Sequence, residues 1–110
     1  MTAEHLKKGE IAEQRAERVV TRAGYRIIAR NVHSRFGEID LIGQYQQQLV
    51  FFEVRYRSNP KFGSAAESVS VSKQRKIIKA AEFFLAANPK FQQLQMRFDV
   101  IGIDGQDNVQ

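Results

Sequence analysis

Glu53 lies within the most apolar stretch of the chain, Leu49-Val50-Phe51-Phe52-Glu53-Val54. The stretch is rich in β-forming residues and predicts a strand running to Arg57. A carboxylate among such neighbours is expensive to bury without a partner. It must meet a cation, and Arg55 or a metal ion is the available candidate. Residues two apart share a face of a strand, so Glu53, Arg55 and Arg57 line one side, with Phe52, Val54 and Tyr56 opposite. Ser58-Asn59-Pro60 ends the strand, because proline cannot continue a ladder.

A second strand precedes it. Phe36-Gly37 opens Glu38-Ile39-Asp40-Leu41-Ile42, in which alternation points Glu38 and Asp40 one way and Ile39 and Leu41 the other. A polar turn over Gly43–Gln48 would join the two strands as a hairpin and set Asp40 near Glu53. Two readings follow. One is a cross-strand ion pair with an arginine, worth a few tenths to ~1 kcal/mol. The other is an oxygen-ligand site for magnesium, a hard ion that takes one or two carboxylates and leaves its other positions to water and phosphate. Upstream, Glu10, Glu13 and Glu17 fall three and four apart and form one helical stripe. Like charges at that spacing destabilise an isolated helix. Such a stripe is solvated, is compensated by a cation, or reaches toward the strand carboxylates.

The remaining pattern supplies the frame. Ala12, Ala16, Val19 and Val20 have helical spacing within residues 4–23, and Ala23-Gly24 followed by Tyr25-Arg26-Ile27-Ile28 marks a helix stop and a strand start. Residues 61–71 read as a loop. Ser70 or Ser72 caps a second helix that runs to Ala87 and stops at Asn88-Pro89. Ile77, Ala81, Phe84 and Leu85 form its inner stripe, and Arg75, Lys76, Lys79 and Glu82 face outward. A last strand centres on Phe98–Ile103. The order α-β-β-β-α-β predicts an α/β fold, a central mixed sheet flanked by helices, built as one domain over residues 1–110.

Composition removes whole classes of function. The 110 residues include no cysteine, which excludes disulfide scaffolds, thiolate metal sites and cysteine nucleophiles. No uninterrupted apolar run exceeds five residues, far below the ~20 residues that span a bilayer. No apolar stretch near Met1 resembles a signal peptide, so the cytoplasm is the expected location. The formal charge is +5, and it is unevenly placed. Arg55, Arg57, Lys61, Lys73, Arg75, Lys76 and Lys79 face only Glu67 across that segment, a local charge of +6, whereas residues 80–110 carry −2. A concentrated basic segment suits a nucleic-acid backbone or an ordinary solvated face. His5 and His33 have no partner at metal-ligand spacing.

Gly37-Glu38-Ile39-Asp40-Leu41-Ile42, Val50-Phe51-Phe52-Glu53-Val54-Arg55-Tyr56-Arg57, Lys73-Gln74 and Arg97-Phe98-Asp99-Val100 together resemble the YraN-like family of bacterial proteins. The resemblance runs from Gly9 to about Ile103. That family is grouped with the restriction-endonuclease-like nucleases and is similar to archaeal Holliday-junction resolvases. The resemblance implies a restriction-endonuclease-like core with the D…(D/E)xK signature. Asp40 stands for the first acid, Glu53 for the second, and Arg55 where lysine is usual. Glu13 matches the helix-one glutamate, with Glu10 the alternative. The implied activity is phosphodiester hydrolysis in DNA, branched or structured DNA included, assisted by magnesium or manganese held by Glu13, Asp40 and Glu53. Arg57, Lys61, Lys73, Arg75, Lys76 and Lys79 would grip the backbone, and a two-fold dimer would suit a junction. Arginine stays protonated, so Arg55 can hold a phosphate but cannot be a general base. The substitution therefore leaves a second expectation, a nucleic-acid-binding module that does not cut.

Overall fold

The structure is a computed structural model that describes residues 3–57 and 69–104, with side chains described over 10–55 and 69–103. Helix α1 (Ala3–Arg22) places Ala12, Ala16 and Val20, four apart, almost fully out of water. Such a narrow stripe of small residues lets the helix lie close on a sheet. Gly24 ends it at φ +100, with the Tyr25 N–H donating to the Val20 carbonyl and the Gly24 N–H to that of Thr21. This is the double closure that left-handed glycine permits at a helix end.

Strands β1 (Arg26–Ser34), β2 (Gly37–Tyr45) and β3 (Gln48–Arg57) form an antiparallel meander. The turn expected over Gly43–Gln48 is confined to Gln46-Gln47, with Gln46 at φ +53, so both strands are longer than the sequence suggested. Helix α2 (Val71–Ala87) begins at Ser70, whose Oγ accepts the Lys73 N–H at 3.1 Å. A short 3-10 turn at Pro89–Phe91 follows, and β4 (Gln95–Asp104) then pairs parallel to β3. A parallel neighbour needs a crossover, and α2 provides it.

The sheet, in the order β1-β2-β3-β4, divides two core layers. Leu41, Val50, Phe52, Ile101 and Ile103 pack with α1. Ile39, Ile42, Leu49 and Phe51 pack with Ala80, Ala81, Phe84 and Leu85 of α2. The chain is therefore α/β with a mixed four-stranded sheet between helices, as the sequence pattern predicts. No described helix is long and apolar enough to cross a membrane.

One expectation fails. Ile39 and Leu41 should share a face, yet they belong to opposite layers. The physical cause lies across the ladder. The pairs Arg30↔Leu41 and Val32↔Ile39 bracket Asn31 and Asp40, and Asn31 is left-handed at φ +49. Asparagine tolerates that conformation better than most residues. The alternation of both strands is interrupted at this level, and Asp40 turns to the α1 side together with Leu41.

Candidate functional site

The β2–β3 ladder closes at Tyr45↔Gln48 and its last pair at the other end is Leu41↔Phe52. The next residues, Asp40 and Glu53, stand at its open mouth. Asp40 sends Oδ2 across the gap to accept the Val54 N–H at 2.8 Å, a bond from side chain to backbone where the ladder would have continued. Burial raises the Asp40 carboxyl above its ordinary range; the Val54 N–H, Lys73 and Arg55 oppose that shift, and Glu38 adds to it.

Among the described residues Glu53 is the buried charged side chain, 7% exposed. By register it shares the α2-facing side of β3 with Phe51. Its Oε1 lies 3.6 Å from Lys73 Nζ and 3.5 Å from Arg55 Nε. The Arg55 Nε is within ion-pair range but poorly aligned, and among the described residues it makes no hydrogen bond. Burial raises the Glu53 carboxyl, the neighbouring Asp40 raises it further, and Lys73 and Arg55 act in the opposite direction. Asp40 makes Glu53 harder to ionise, and Lys73 and Arg55 act on both carboxyls, so the four groups constitute a single electrostatic unit. The two carboxyls enter it from the two sides of the sheet rather than from one shared face.

Behind Asp40, on the α1 side, a cavity of about 270 Å³ is bordered by Glu10, Glu13, Glu17, Arg30, Asn31 and Asp40. Arg30 neutralises one end by donating to both oxygens of Glu17, from Nε at 2.9 Å and from a terminal nitrogen. That pairing holds Glu17 below the usual carboxylate range. Glu13 is raised, first by burial and next by Asp40, and a hydrogen bond with Asn31 offsets part of this. The acidic stripe of α1 is thus compensated at Glu17 and coupled to the strand carboxylates at Glu13. Among the described residues, no three His, Asp or Glu side chains converge closely enough to hold a metal ion. Glu13 is engaged with Asn31, which leaves Asp40 and Glu53 as the carboxylates at the mouth.

The basic residues separate into two groups. Lys73 joins Glu53, whereas Arg75, Lys76 and Lys79 are exposed on α2. Lys76 lies beside the β1–β2 turn, where a Cβ on Gly37 would come 3.3 Å from its own Cβ. Arg57 is described only as the end of β3, and Lys61 lies outside the described residues. His33 pairs with Glu38 at 3.0 Å on the exposed part of the hairpin.

The sequence model of the uncharacterised protein family UPF0102 matches residues 12–103. The chain belongs to that family. A UPF0102 protein of Saccharophagus degradans is 50% identical over 101 residues, covering 92% of this chain and 86% of that relative. One from Nitrosococcus oceani is 44% identical, covering 97% and 89%, and one from Acinetobacter baylyi is 45% identical, covering 93% and 71%. The YraN-like resemblance seen in the GEIDLI and FFEVRYR segments is therefore a family relationship. The matched span of this UPF0102 member includes Glu13, Asp40, Glu53, Arg55 and Lys73. Sequence reading missed two parts of the site. Lys73 was expected only as a backbone grip, although its position three residues after the Ser70 cap fixes it in the first turn of α2. Asn31 carried no signal beyond its residue type.

Proposed function

We propose that this chain is a divalent-metal-dependent phosphodiesterase of the restriction-endonuclease-like class, acting on DNA. The observation that carries the reading is the Asp40–Glu53 pair at the open end of the β2–β3 ladder, with Arg55 and Lys73 beside it. Two electrostatically coupled carboxylates oppose binding of a bare phosphate, so their presence beside Arg55 and Lys73 favours a cation between acid and substrate. Magnesium fits a two-carboxylate donor set, because it keeps its other positions for water and phosphate oxygens. When bound, it supplies Lewis-acid stabilisation of the charge that develops on the phosphoryl group. Asp40 and Glu53 hold the ion, and the Val54 N–H fixes the orientation of Asp40. Arg55 and Lys73 offer donors to the phosphate, with Lys73 supplying from α2 the amine that position 55 lacks. Lys76 and its neighbours on α2 contact the backbone farther out.

A second reading has its own support. Glu53 already has two cationic partners, an arrangement that suits a fold that binds nucleic acid without cutting it. Incubation with junction, flap, single-stranded and linear duplex DNA in magnesium or manganese, with a chelator control, separates the two. Asp40→Asn and Glu53→Gln should each slow cleavage roughly 10²–10³-fold, the equivalent of several kcal/mol of Lewis-acid stabilisation, while binding persists. Binding to these substrates without cleavage by the wild type would favour the second reading. Cleavage that survives both substitutions would place the chemistry elsewhere.

A further inference from the structure

The two edges of the sheet differ. An unpaired edge strand is a template for another strand, and proteins blunt such edges with bulges, prolines or lysines. Edge β1 is blunted: its register shifts between Ile27 and Ala29, and Asn31 turns left-handed. Edge β4 is not. It follows β3 in unbroken register from Gln48↔Gln95 to Arg57↔Asp104, and it contains neither lysine nor proline. Among the described residues no strand pairs with its outer side. Its first half also presents apolar side chains to water, with Met96 53% and Phe98 44% exposed and Ile78 of α2 beside Phe98. Phe98 already stacks on Phe51, 5.2 Å between centroids at 22°, so the ring is held in place.

We propose that β4 pairs antiparallel with β4 of a second copy about a two-fold axis at Phe98, joining two sheets into one of eight strands. The charge pattern selects the register. Arg97 and Asp99 share the α1-facing side of β4, where Arg97 donates to Asp99 at 3.0 Å and to the Tyr25 hydroxyl at 2.8 Å. With Phe98 on the axis, Arg97 faces the second copy's Asp99 and the reverse, a self-complementary quartet. A shift of the axis to residue 97 sets arginine against arginine, and a shift to 99 sets aspartate against aspartate, which cross-strand pairing disfavours. The same register puts Met96 against Val100 and Phe98 against its own copy on the α2-facing side. An isologous contact of this kind is closed, so it ends at the dimer instead of growing into a fibre. The two Glu53 side chains would stand on one continuous face about 20 Å apart, from three strand spacings across and four residues along. The dimer does not depend on any chemistry at Glu53.

Light scattering on the full chain at concentrations from about 1 to 100 µM tests the association; the expected mass is twice that of the chain at the upper end. Met96→Lys, an exposed substitution that leaves the core untouched, should shift the equilibrium toward monomer at least tenfold with an unchanged melting temperature of the monomer. The register has a separate test, since the chain has no cysteine of its own. Phe98→Cys should form an intermolecular disulfide under mild oxidation, because residue 98 faces its copy directly, whereas Met96→Cys should not. A monomer at every concentration overturns the proposal. A dimer indifferent to Met96→Lys, or one cross-linked through residue 96 but not 98, overturns it as well. Monomers in which Phe98→Ala weakens DNA binding would assign this edge to nucleic acid instead.

Discussion

Asp40 and Asn31 face each other across two strands, and their side chains differ only in an oxygen and an amide nitrogen. At Asp40 that difference decides the charge of the site. The carboxyl is raised by burial, so in the folded chain ionisation is opposed. A raised folded value contributes stability that is complete below the unfolded pKa and is lost as pH rises through the folded one. Asp40→Asn keeps an oxygen to accept the Val54 N–H and removes that penalty. The variant should therefore melt at or above the wild-type temperature at pH 8 without divalent ions, and the difference should close as pH falls toward 3. Thermal melts across that range check it; a variant clearly less stable at pH 8 would mean that the charge supports the fold. Glu13 adds a further raised carboxyl in the same direction, so the wild type should share the trend more broadly.

At the scale of elements, the sequence pattern carries most of the frame. Ala12, Ala16 and Val20 give the face of α1, although Val19, read with them, is exposed; the two candidate caps Ser70 and Ser72 bracket the start of α2, which falls at Ser70; and the Leu49–Val54 run gives β3. The strand ends are less readable. Polar Gln44, Tyr45 and Gln48 pair in the ladder although their composition suits a turn. The site is legible in part: alternation brings Asp40 and Glu53 to one level, but strict alternation would leave Leu41 on the wrong face. The missing information is a backbone angle at Asn31, two strands away from Glu53. Asn31→Val tests its importance. A β-branched residue resists positive φ, so a loss of about 1–2 kcal/mol is expected. The Val54 amide should also lose hydrogen-exchange protection as Asp40 swings away. Asn31→Gly, which accepts that angle, should spare the Val54 amide even though it gives up the contact to Glu13.

For the whole molecule, metal binding and acidity should be linked with the opposite sign. An ion held by Asp40 and Glu53 requires both to be charged, so it replaces an electrostatic penalty with an attraction. Added magnesium should raise the melting temperature more at pH 8 than at pH 5, and Glu53→Gln should remove the difference. Equal shifts in the variant would locate the ion elsewhere on the surface. The parallel pairing of β3 with β4 bears on how the chain reaches this state. Neighbours in that ladder are 47 positions apart, as at Gln48↔Gln95, whereas the meander closes through turns of two residues at Phe36 and Gln46. Distant partners meet only after the loop entropy between them has been overcome, so the hairpins should organise first and the last strand should dock late. Ile42→Val in β2 should therefore slow refolding, and Ile103→Val in β4 should mainly hasten unfolding, a division that stopped-flow chevrons resolve. During synthesis the three-stranded meander would then wait for β4 with the Glu53 strand as its own exposed border, so the same edge at which two finished chains are expected to meet is supplied by the last segment to arrive.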